Sequence, residues 1–315
     1  MIDRTKIFVR ARLNSKRFTK TDLGYIEAMG CDNYRLYSNR DKAYLEIWNS
    51  ATGVYIDGSW RKWYLGSDSL NDLTRKDIKT VCEEISKITG LSMTALLNSI
   101  LCVLEFGCTF FLSVFPATIL GRMYRYSSLE LGRFDTSISF RAHDFWFAIY
   151  DKGIEVIKRG CLRGNTQLTQ ETNALRMELK VFARTAFEDR LRGIETLADV
   201  INNYRNLIIS FYHEIKRIEI QPIILEIDNV TFKGKKISDF NKYAKLRLME
   251  QIGVRQTFGM IGQLDMANSG KSYQRKKLSE ILAQYTNRTA FSRADFLTEV
   301  RTQLVKKIAE PNPLL

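Results

Sequence analysis

The feature that most constrains this chain is the apolar stretch over residues 92–121, SMTALLNSILCVLEFGCTFFLSVFPATILG, whose only formal charge is Glu105. Such a stretch is typical of either a membrane span or a buried core element. A spanning helix needs about 20 apolar residues, whereas the run over 106–120 is shorter and contains Pro116. Extending it upstream would bring Glu105 into hydrocarbon at a large free-energy cost. The sequence therefore favours a buried core element over a membrane span.

We expect this element to be a central strand over 100–110, followed by a helix that begins near Pro116 and reaches about Tyr126. Side chains alternate along a strand. Glu105 would therefore share one face with Gly107 and Thr109, and the apolar side chains between them would line the opposite face.

The remaining patterns predict an α+β fold with a central antiparallel sheet of about five strands and helices on one face. Alternating or aromatic β-prone segments are found at 6–13, 42–50, 53–68 and 173–181, and a hairpin is expected over 136–152. Helical spacing is found at 69–90, closed by Gly90, at 191–217 and at 241–308. The less regular stretch 218–240 predicts a boundary between a domain over 1–218 and a mainly helical domain over 219–315.

The charge of the chain favours a polyanionic partner, either nucleic acid or an acidic membrane surface. Its 315 residues carry a net charge of +13, and residues 241–308 hold thirteen Lys/Arg against five Asp/Glu, a net +8. The cluster KSYQRKK makes Lys271, Arg275, Lys276 and Lys277 candidate DNA-binding residues. A solvated helix face stays open as the other interpretation of this cluster.

The cysteines and histidines restrict the kind of metal site. Five cysteines without CxxC spacing argue against a zinc site or a disulfide framework and favour a reducing cytoplasm. The two histidines, His143 and His213, cannot form a three-histidine site or a motif with both histidines in one strand. The N-terminus has no apolar core of signal-peptide length, so we expect no leader.

Polar residues interrupt three otherwise apolar strands, at Glu105, at Tyr150 with Lys152, and at Arg176 with Glu178. Taken singly, each has an ordinary structural explanation. Their order resembles the gene II and gene X replication initiators of filamentous phages and their plasmid relatives. The motifs that carry this resemblance are GSWRKWYLGSDSLNDLTRKD at 58–77, VLEFGCTF at 103–110, AIYDKGIEV at 148–156 and LRMEL at 175–179.

The resemblance spans most of the first 215 residues and implies a nickase fold of the HUH or Rep-like kind. It implies rolling-circle initiation, in which a DNA nicking-joining endonuclease forms a 5′-phosphotyrosine intermediate. The sequence departs from the family's usual Arg and Asp in the first strand, where it has Val103 and Glu105. A degenerate, inactive relative therefore stays open.

On this resemblance, Tyr150 is the nucleophile, Lys152 favours its phenolate, and Arg176 contacts phosphate. Glu105, Glu178 and Glu155 would ligate Mg²⁺ or Mn²⁺, because carboxylates are hard oxygen donors. The implied partners are origin DNA and a host helicase and polymerase, in the cytoplasm of a bacterial host, without stable membrane association. Two alternatives remain: a non-catalytic origin-binding or copy-control protein on the same fold, and a peripheral membrane protein that uses 106–120.

Overall fold

The structure is a computed structural model that describes residues 2–127, 129–162, 173–182, 184–221, 236–252, 254–285 and 291–309. Its strands are β1 (Ile2–Val9), β2 (Gly24–Gly30), β3 (Asn33–Ser38), β4 (Tyr44–Asn49), β5 (Val54–Ser59), β6 (Ile100–Phe111), β7 (Met123–Tyr126), β8 (Glu130–Phe134), β9 (Ser137–Arg141), β10 (Phe145–Asp151), β11 (Ala174–Val181) and β12 (Ile218–Ile220).

The helices in these described ranges are α1 (Trp60–Leu65), α2 (Arg75–Thr89), α3 (Met93–Leu97), α4 (Pro116–Leu120), α5 (Lys152–Leu162), α6 (Arg184–Arg190), α7 (Leu197–Asn202), α8 (Tyr204–Lys216), α9 (Ile237–Ile252), α10 (Val254–Gln263), α11 (Asn268–Tyr285) and α12 (Arg293–Ile308). The α+β class is confirmed. No helix in the described part of the chain is long and apolar enough to cross a bilayer.

The main sheet has ten antiparallel strands in the order β2-β3-β4-β5-β1-β6-β11-β10-β9-β8. The expectation of about five strands was too low: seven of the ten strands coincide with predicted β-prone segments, and β2, β3 and β8 were not recognised. These strands lie at or next to the two edges, and β2 exposes most of its side chains. A strand without a buried stripe lacks the periodic apolar signal that sequence patterns detect.

The two faces of the sheet differ in chemistry. The apolar face carries Phe106 of β6 and Phe147 of β10, whose rings contact the Phe211 ring of α8 at centroid distances of 5.6 and 6.1 Å. All three side chains are buried. The opposite face, called here the polar face, carries Glu105, Arg176, Glu178 and the other residues that alternate with the core positions.

Local predictions were confirmed where residue pattern and capping signals agree. The strand over 100–110 is β6, in the middle of the sheet, and the hairpin over 136–152 is β9 with β10. Helix α2 ends at Thr89 and is capped by Gly90, whose φ of 72° places it in the left-handed region. The helix that begins at Pro116 is shorter than expected, because α4 ends at Leu120 and the chain continues as β7.

The chain forms two compact units. The first comprises Met1–Gly121, Arg125–Ile218 and Thr298–Leu315, and the second comprises Arg122–Tyr124 and Glu219–Leu297. The second unit has its own core around Leu246, Met249, Ile261, Leu278 and Ile281. The division after residue 218 lies where the sequence suggests a boundary, whereas residues from Thr298 onward belong to the first unit.

Candidate functional site

Three carboxylates converge on the polar face near the middle of the sheet. Asp3, Glu105 and Glu178 each place an oxygen within 4.8 Å of the others. Glu105 lies opposite Lys180 and Glu178 lies opposite Gly107, so the two strands β6 and β11 bring the glutamates to one face, as their alternation predicts. The structure thus brings together two of the three predicted metal ligands and adds Asp3.

Glycine at position 107 makes room for Glu178. A Cβ atom built on Gly107 would lie 2.3 Å from the Met177 carbonyl oxygen and 2.7 Å from Glu178 Cγ. Any larger residue would therefore displace the Glu178 side chain from the cluster. Asp3 reaches the same place because the β1–β6 register shifts between Ile2 and Arg4.

Arg176 links the carboxylates to one another through its hydrogen bonds. Its guanidinium is fully buried and donates from Nε to Glu178 Oε1 at 2.8 Å and from Nη2 to Asp3 Oδ2 at 2.8 Å. Its Nη1 donates to Asp72 and, at 3.0 Å, to Thr109 Oγ1. All three guanidinium nitrogens are thus engaged within the protein. Arg176 therefore positions the carboxylates, and its expected phosphate contact stays a prediction.

A second arginine, Arg61, also forms an ion pair with Asp3. Arg61 Nε donates to Asp3 Oδ2 at 2.8 Å, and Ser59 Oγ donates to Asp3 Oδ1 at 2.6 Å. Burial acts to raise the pKa of Asp3, but Arg176 and Arg61 outweigh it and hold that pKa well below its usual range. Asp3 is therefore an anion at neutral pH.

Asp72 anchors the loop before α2 to the site. Its carboxylate accepts from Lys307 at 2.8 Å and from the Thr109 backbone N–H at 3.2 Å, in addition to Arg176. Burial acts to raise the pKa of Asp72, but the charges of Arg176 and Lys307 outweigh burial and hold that pKa below its usual range. Lys307 lies in the last turn of α12, so the C-terminal helix contributes to the first unit.

Tyr150 lies at the edge of the carboxylate cluster. Its hydroxyl donates to Glu178 Oε1 at 3.0 Å, and Tyr150 faces Arg176 across the β10–β11 pair. Burial and the Glu178 charge raise the pKa of the phenol above its ordinary value, even though Arg176 acts to lower it. The expectation that a neighbouring cation favours the phenolate was therefore wrong, because a carboxylate is the nearer charge.

Lys152 and Glu155 pair with each other and lie outside the carboxylate cluster. Strand β10 ends at Asp151 and Lys152 begins α5, so Lys152 does not continue the strand face that carries Tyr150. The Lys152 Nζ lies 2.5 Å from Glu155 Oε2 and 5.9 Å from the Tyr150 ring centroid. Burial lowers the pKa of Lys152 despite that partner. Glu155 thus neutralises Lys152, and the described residues show it in no group with Glu105 and Glu178.

The cluster holds more negative charge than its arginines neutralise. Burial, then Glu178 and Asp3, raise the pKa of Glu105 to about 8. Burial and Asp3 also raise the pKa of Glu178, although Arg176 opposes them. Crowded carboxylates of this kind keep a proton unless a cation replaces it. Asp3, Glu105 and Glu178 are the residues that could hold a divalent metal ion.

Comparison with known proteins does not assign this site. No protein-family model matches the chain, and no curated protein matches it. The resemblance to replication initiators, and the fold and activity that it implies, therefore stay predictions.

The predicted DNA-binding residues lie on α11 in the second unit. Arg275, Lys276 and Lys277 are exposed, and the Lys277 Nζ lies 5.9 Å from the Tyr273 ring centroid. Lys271 is partly buried and donates from Nζ to the Gly262 carbonyl oxygen at 3.0 Å. Three of the four therefore present charge to solvent, and Lys271 also contacts the end of α10.

Sequence patterns missed Asp3 and Asp72. Both carboxylates contact Arg176, from 173 and 104 residues away along the chain. The signal available was weak: Asp3 interrupts the start of an alternating strand, and Asp72 precedes the helix start LTRKD. Asp72 lies within the segment 58–77 that carries the resemblance, which implies no role for it, and Asp3 lies outside every such motif.

The raised pKa of Glu105 gives a first prediction about stability. A carboxyl whose folded-state pKa exceeds its unfolded value stabilises the fold at low pH and loses that contribution as pH rises through the folded pKa. Without divalent metal, we expect the free energy of unfolding to fall by on the order of a few kcal/mol between pH 5 and 8.5. Denaturant titration in EDTA measures it.

Glu105→Gln should flatten this dependence, because glutamine does not ionise. The matched control is Glu46→Gln, which changes an exposed carboxylate on the same face of the sheet. Mn²⁺ should raise the melting temperature of the wild type at pH 8 and have little effect at pH 5, where protons compete. An equal Mn²⁺ response in Glu105→Gln and the wild type would exclude Glu105 as a ligand.

Proposed function

We propose that this protein is a metal-dependent DNA nicking-joining endonuclease that uses Tyr150 as its nucleophile, in the manner of a rolling-circle replication initiator. One observation carries the proposal. The Tyr150 hydroxyl is hydrogen-bonded to Glu178, which itself belongs to a cluster of three carboxylates on one face of the sheet. A nucleophile bonded to a base beside a cation site is the arrangement that phosphoryl transfer requires.

The residues have distinct roles in this reaction. The Tyr150 oxygen attacks a DNA phosphorus atom, its proton passes to Glu178, and the bond from phosphorus to the 3′ oxygen breaks. The 3′ oxygen takes up a proton to become a hydroxyl, and the 5′ end stays on Tyr150. One phosphodiester replaces another, so the strand can be rejoined by the reverse reaction. The raised pKa of Glu178 suits it to accept the proton.

The donor set fits a hard divalent cation. Three carboxylate oxygens within 4.8 Å of one another match the preference of Mg²⁺ and Mn²⁺ for oxygen ligands. Such an ion would neutralise charge that develops on the phosphate. Arg176 and Asp72 act as positioning residues, because their side chains are buried and paired with each other, and Arg176 also pairs with Asp3 of the cluster.

A non-catalytic DNA-binding protein on the same fold is the second candidate. The observation in its favour is the burial of Tyr150, whose pKa is raised above that of an ordinary tyrosine. A phenol of this kind ionises less readily than one in water. The two candidates differ in one outcome, namely whether the protein forms a covalent bond to DNA.

A nicking assay tests the proposal. The protein is incubated with supercoiled origin plasmid and Mg²⁺ or Mn²⁺, and the products are separated under denaturing conditions. We expect relaxed plasmid and a protein that retains the 5′ end of the cleaved strand. Binding to the plasmid without any nicked product across both metals would favour the second candidate.

The basic helix α11 provides a separate prediction about duplex affinity. Each phosphate contact adds close to one unit to the slope of log affinity against log salt concentration. The triple variant Arg275→Gln, Lys276→Gln and Lys277→Gln should therefore lower that slope by about two to three units. Duplex binding from 50 to 300 mM salt, followed by fluorescence anisotropy, measures the slope.

Substitution is a better test here than truncation. Deleting residues 241–315 would remove Lys307, and with it a partner of Asp72 in the first unit. The control variant is Lys236→Gln with Lys242→Gln, two basic residues of the same unit that lie outside α11. An unchanged slope in the triple variant would show that α11 is not a phosphate-binding surface.

A further inference from the structure

Six aromatic side chains cover the polar face of the sheet on the strands that lie on one side of the carboxylate cluster. Strands β1, β3, β4 and β5 place alternate residues on this face, and β2 at the edge of the sheet exposes most of its side chains. The six residues are Phe8, Tyr25, Tyr37, Tyr44, Trp48 and Tyr55. They are only partly buried, and Tyr44 is 40% exposed. We call them the aromatic platform.

The platform consists of two rows that run across the strands. In one row, Trp48 stacks on Tyr55 with ring centroids 5.2 Å apart at 19°, and Phe8 lies 4.9 Å from Tyr55. In the other row, Tyr25 stacks on Tyr37 at 5.5 Å, and Tyr37 lies 5.6 Å from Tyr44. Hydrophobic rings are normally used to fill a core, so two ordered rows at the surface indicate a binding function.

Cations are interleaved with these rings. The Lys6 Nζ lies 4.9 Å from the Trp48 centroid and 5.3 Å from that of Tyr55, and the Arg35 guanidinium lies 4.5 Å from the Tyr44 centroid. Aromatic faces combined with basic side chains are the elements of a surface for single-stranded nucleic acid, where bases stack and phosphates pair with cations.

The platform is continuous with the carboxylate cluster. Arg4 pairs in register with Glu105, and Lys6 pairs with Val103 of the same strand β6. Strand β1 therefore carries Phe8 of the platform, together with Lys6, next to the strand that carries Glu105. A chain that lies over the platform leads directly along the sheet to the site beside Tyr150.

We propose that the aromatic platform binds single-stranded DNA and delivers it to the carboxylate cluster. This inference rests on the proposed function in one respect, namely that the nucleic acid is DNA. The preference for a single strand follows from the exposed aromatic rings. In a duplex the base faces are already stacked on one another, whereas an unpaired strand offers its bases to extend the two aromatic rows. Glu27, Glu46 and Asp57 lie between the rows together with Arg35 and Lys6, so bases stack on the rings and phosphates pair only at the two cations.

The test is binding of the full-length protein to a fluorescein-labelled dT oligonucleotide in EDTA, so that no metal-dependent cleavage takes place. Trp48→Ala and Tyr44→Ala remove one ring from each row. Each should weaken binding by roughly 5- to 100-fold, because a stacked base contributes on the order of 1–3 kcal/mol. Trp48→Phe keeps a ring and should bind within about 3-fold of the wild type. Circular dichroism establishes that each variant is folded.

The matched control is Tyr212→Ala, which removes a tyrosine that lies under Lys216 at 5.2 Å on helix α8, outside the platform. It should leave dT affinity unchanged. Lys6→Gln should lower the salt slope by about one unit, whereas the ring variants should leave that slope unchanged. Competition with an unlabelled duplex and with an oligosaccharide should displace dT only weakly.

The outcomes separate this inference from the proposed function. If folded ring variants bind dT like the wild type, or if duplex or oligosaccharide competes as well as dT, the platform is not a single-strand site, whatever the nicking assay shows. If the ring variants lose dT binding while the wild type never nicks origin DNA with metal, the platform is a single-strand binding site and the nickase proposal is wrong.

Discussion

Tyr150→Phe is expected to abolish the covalent protein–DNA adduct and to lower nicking by roughly 10⁴-fold or more, because it removes the oxygen that bonds to phosphorus. Binding of dT in EDTA should be unchanged, since Tyr150 lies outside the aromatic platform. The adduct is followed by transfer of label from the 5′ end of the cleaved strand to protein, and the modified residue is located by mass spectrometry.

The matched control is Tyr126→Phe. Tyr126 is also a buried tyrosine whose hydroxyl donates to a glutamate, Glu214, and burial raises its pKa as well. It lies on the first unit but outside the carboxylate cluster, so its loss should leave nicking unchanged apart from any loss of folded protein. An adduct on Tyr126, or full nicking by Tyr150→Phe, would contradict the assignment of the nucleophile.

The pH dependence of nicking follows from the same contacts. In the proposed reaction Tyr150 loses a proton to Glu178, and both groups have pKa values raised by burial. The metal-saturated rate should therefore rise as pH increases from 6 to 9, because Glu178 accepts a proton only when it is ionised. Single-turnover nicking across this range measures the slope, and a rate that falls toward pH 9 would argue against Glu178 as the base.

The faces of strands β6 and β11 were predictable, but their neighbours were not. Alternation along β6 and β11 places Glu105 and Glu178 on one face, since a strand has a period of two. Alternation says nothing about which strand lies beside which. Asp3 joins the cluster only because β1 pairs with β6, 100 residues further along the chain, and a register shift at Asp3 lies outside any periodic pattern.

The first half of the sheet was underestimated for a related reason. Its strands alternate apolar residues with aromatic and charged ones, and aromatic side chains count as apolar in a simple pattern. The segment 53–68 was interpreted as β-prone throughout, yet α1 begins after Ser59, whose side chain accepts from the Lys62 N–H. Here a capping serine and Gly66 at the other end determine the structure more than the β propensity of the tryptophans.

Arg176→Met is expected to have the largest effect on stability. The variant leaves Asp3, Asp72 and Glu178 buried, with Arg61 still paired to Asp3 and Lys307 still paired to Asp72. Removing one member of a buried ion network costs roughly 3–5 kcal/mol, since the remaining charges lose their compensation. Chemical denaturation at pH 7.5 in EDTA measures the loss.

The matched control is Arg217→Met, which breaks a half-exposed ion pair with Glu214 and should lower the free energy of unfolding by about 1 kcal/mol or less.

The sign of the pH dependence distinguishes charge compensation from a simple packing defect. In the wild type, Arg176 keeps the pKa values of Asp3 and Asp72 depressed, so their contribution to stability is present at neutral pH and is lost as pH falls below about 4. Without Arg176, burial raises those pKa values, and the carboxylates become neutral in mild acid. The variant should therefore regain stability between pH 7 and 5 more steeply than the wild type, and Mn²⁺ should stabilise it at pH 7.5 by replacing the lost positive charge. A loss of stability that is the same at every pH and insensitive to Mn²⁺ would mean that Arg176 acts through packing alone.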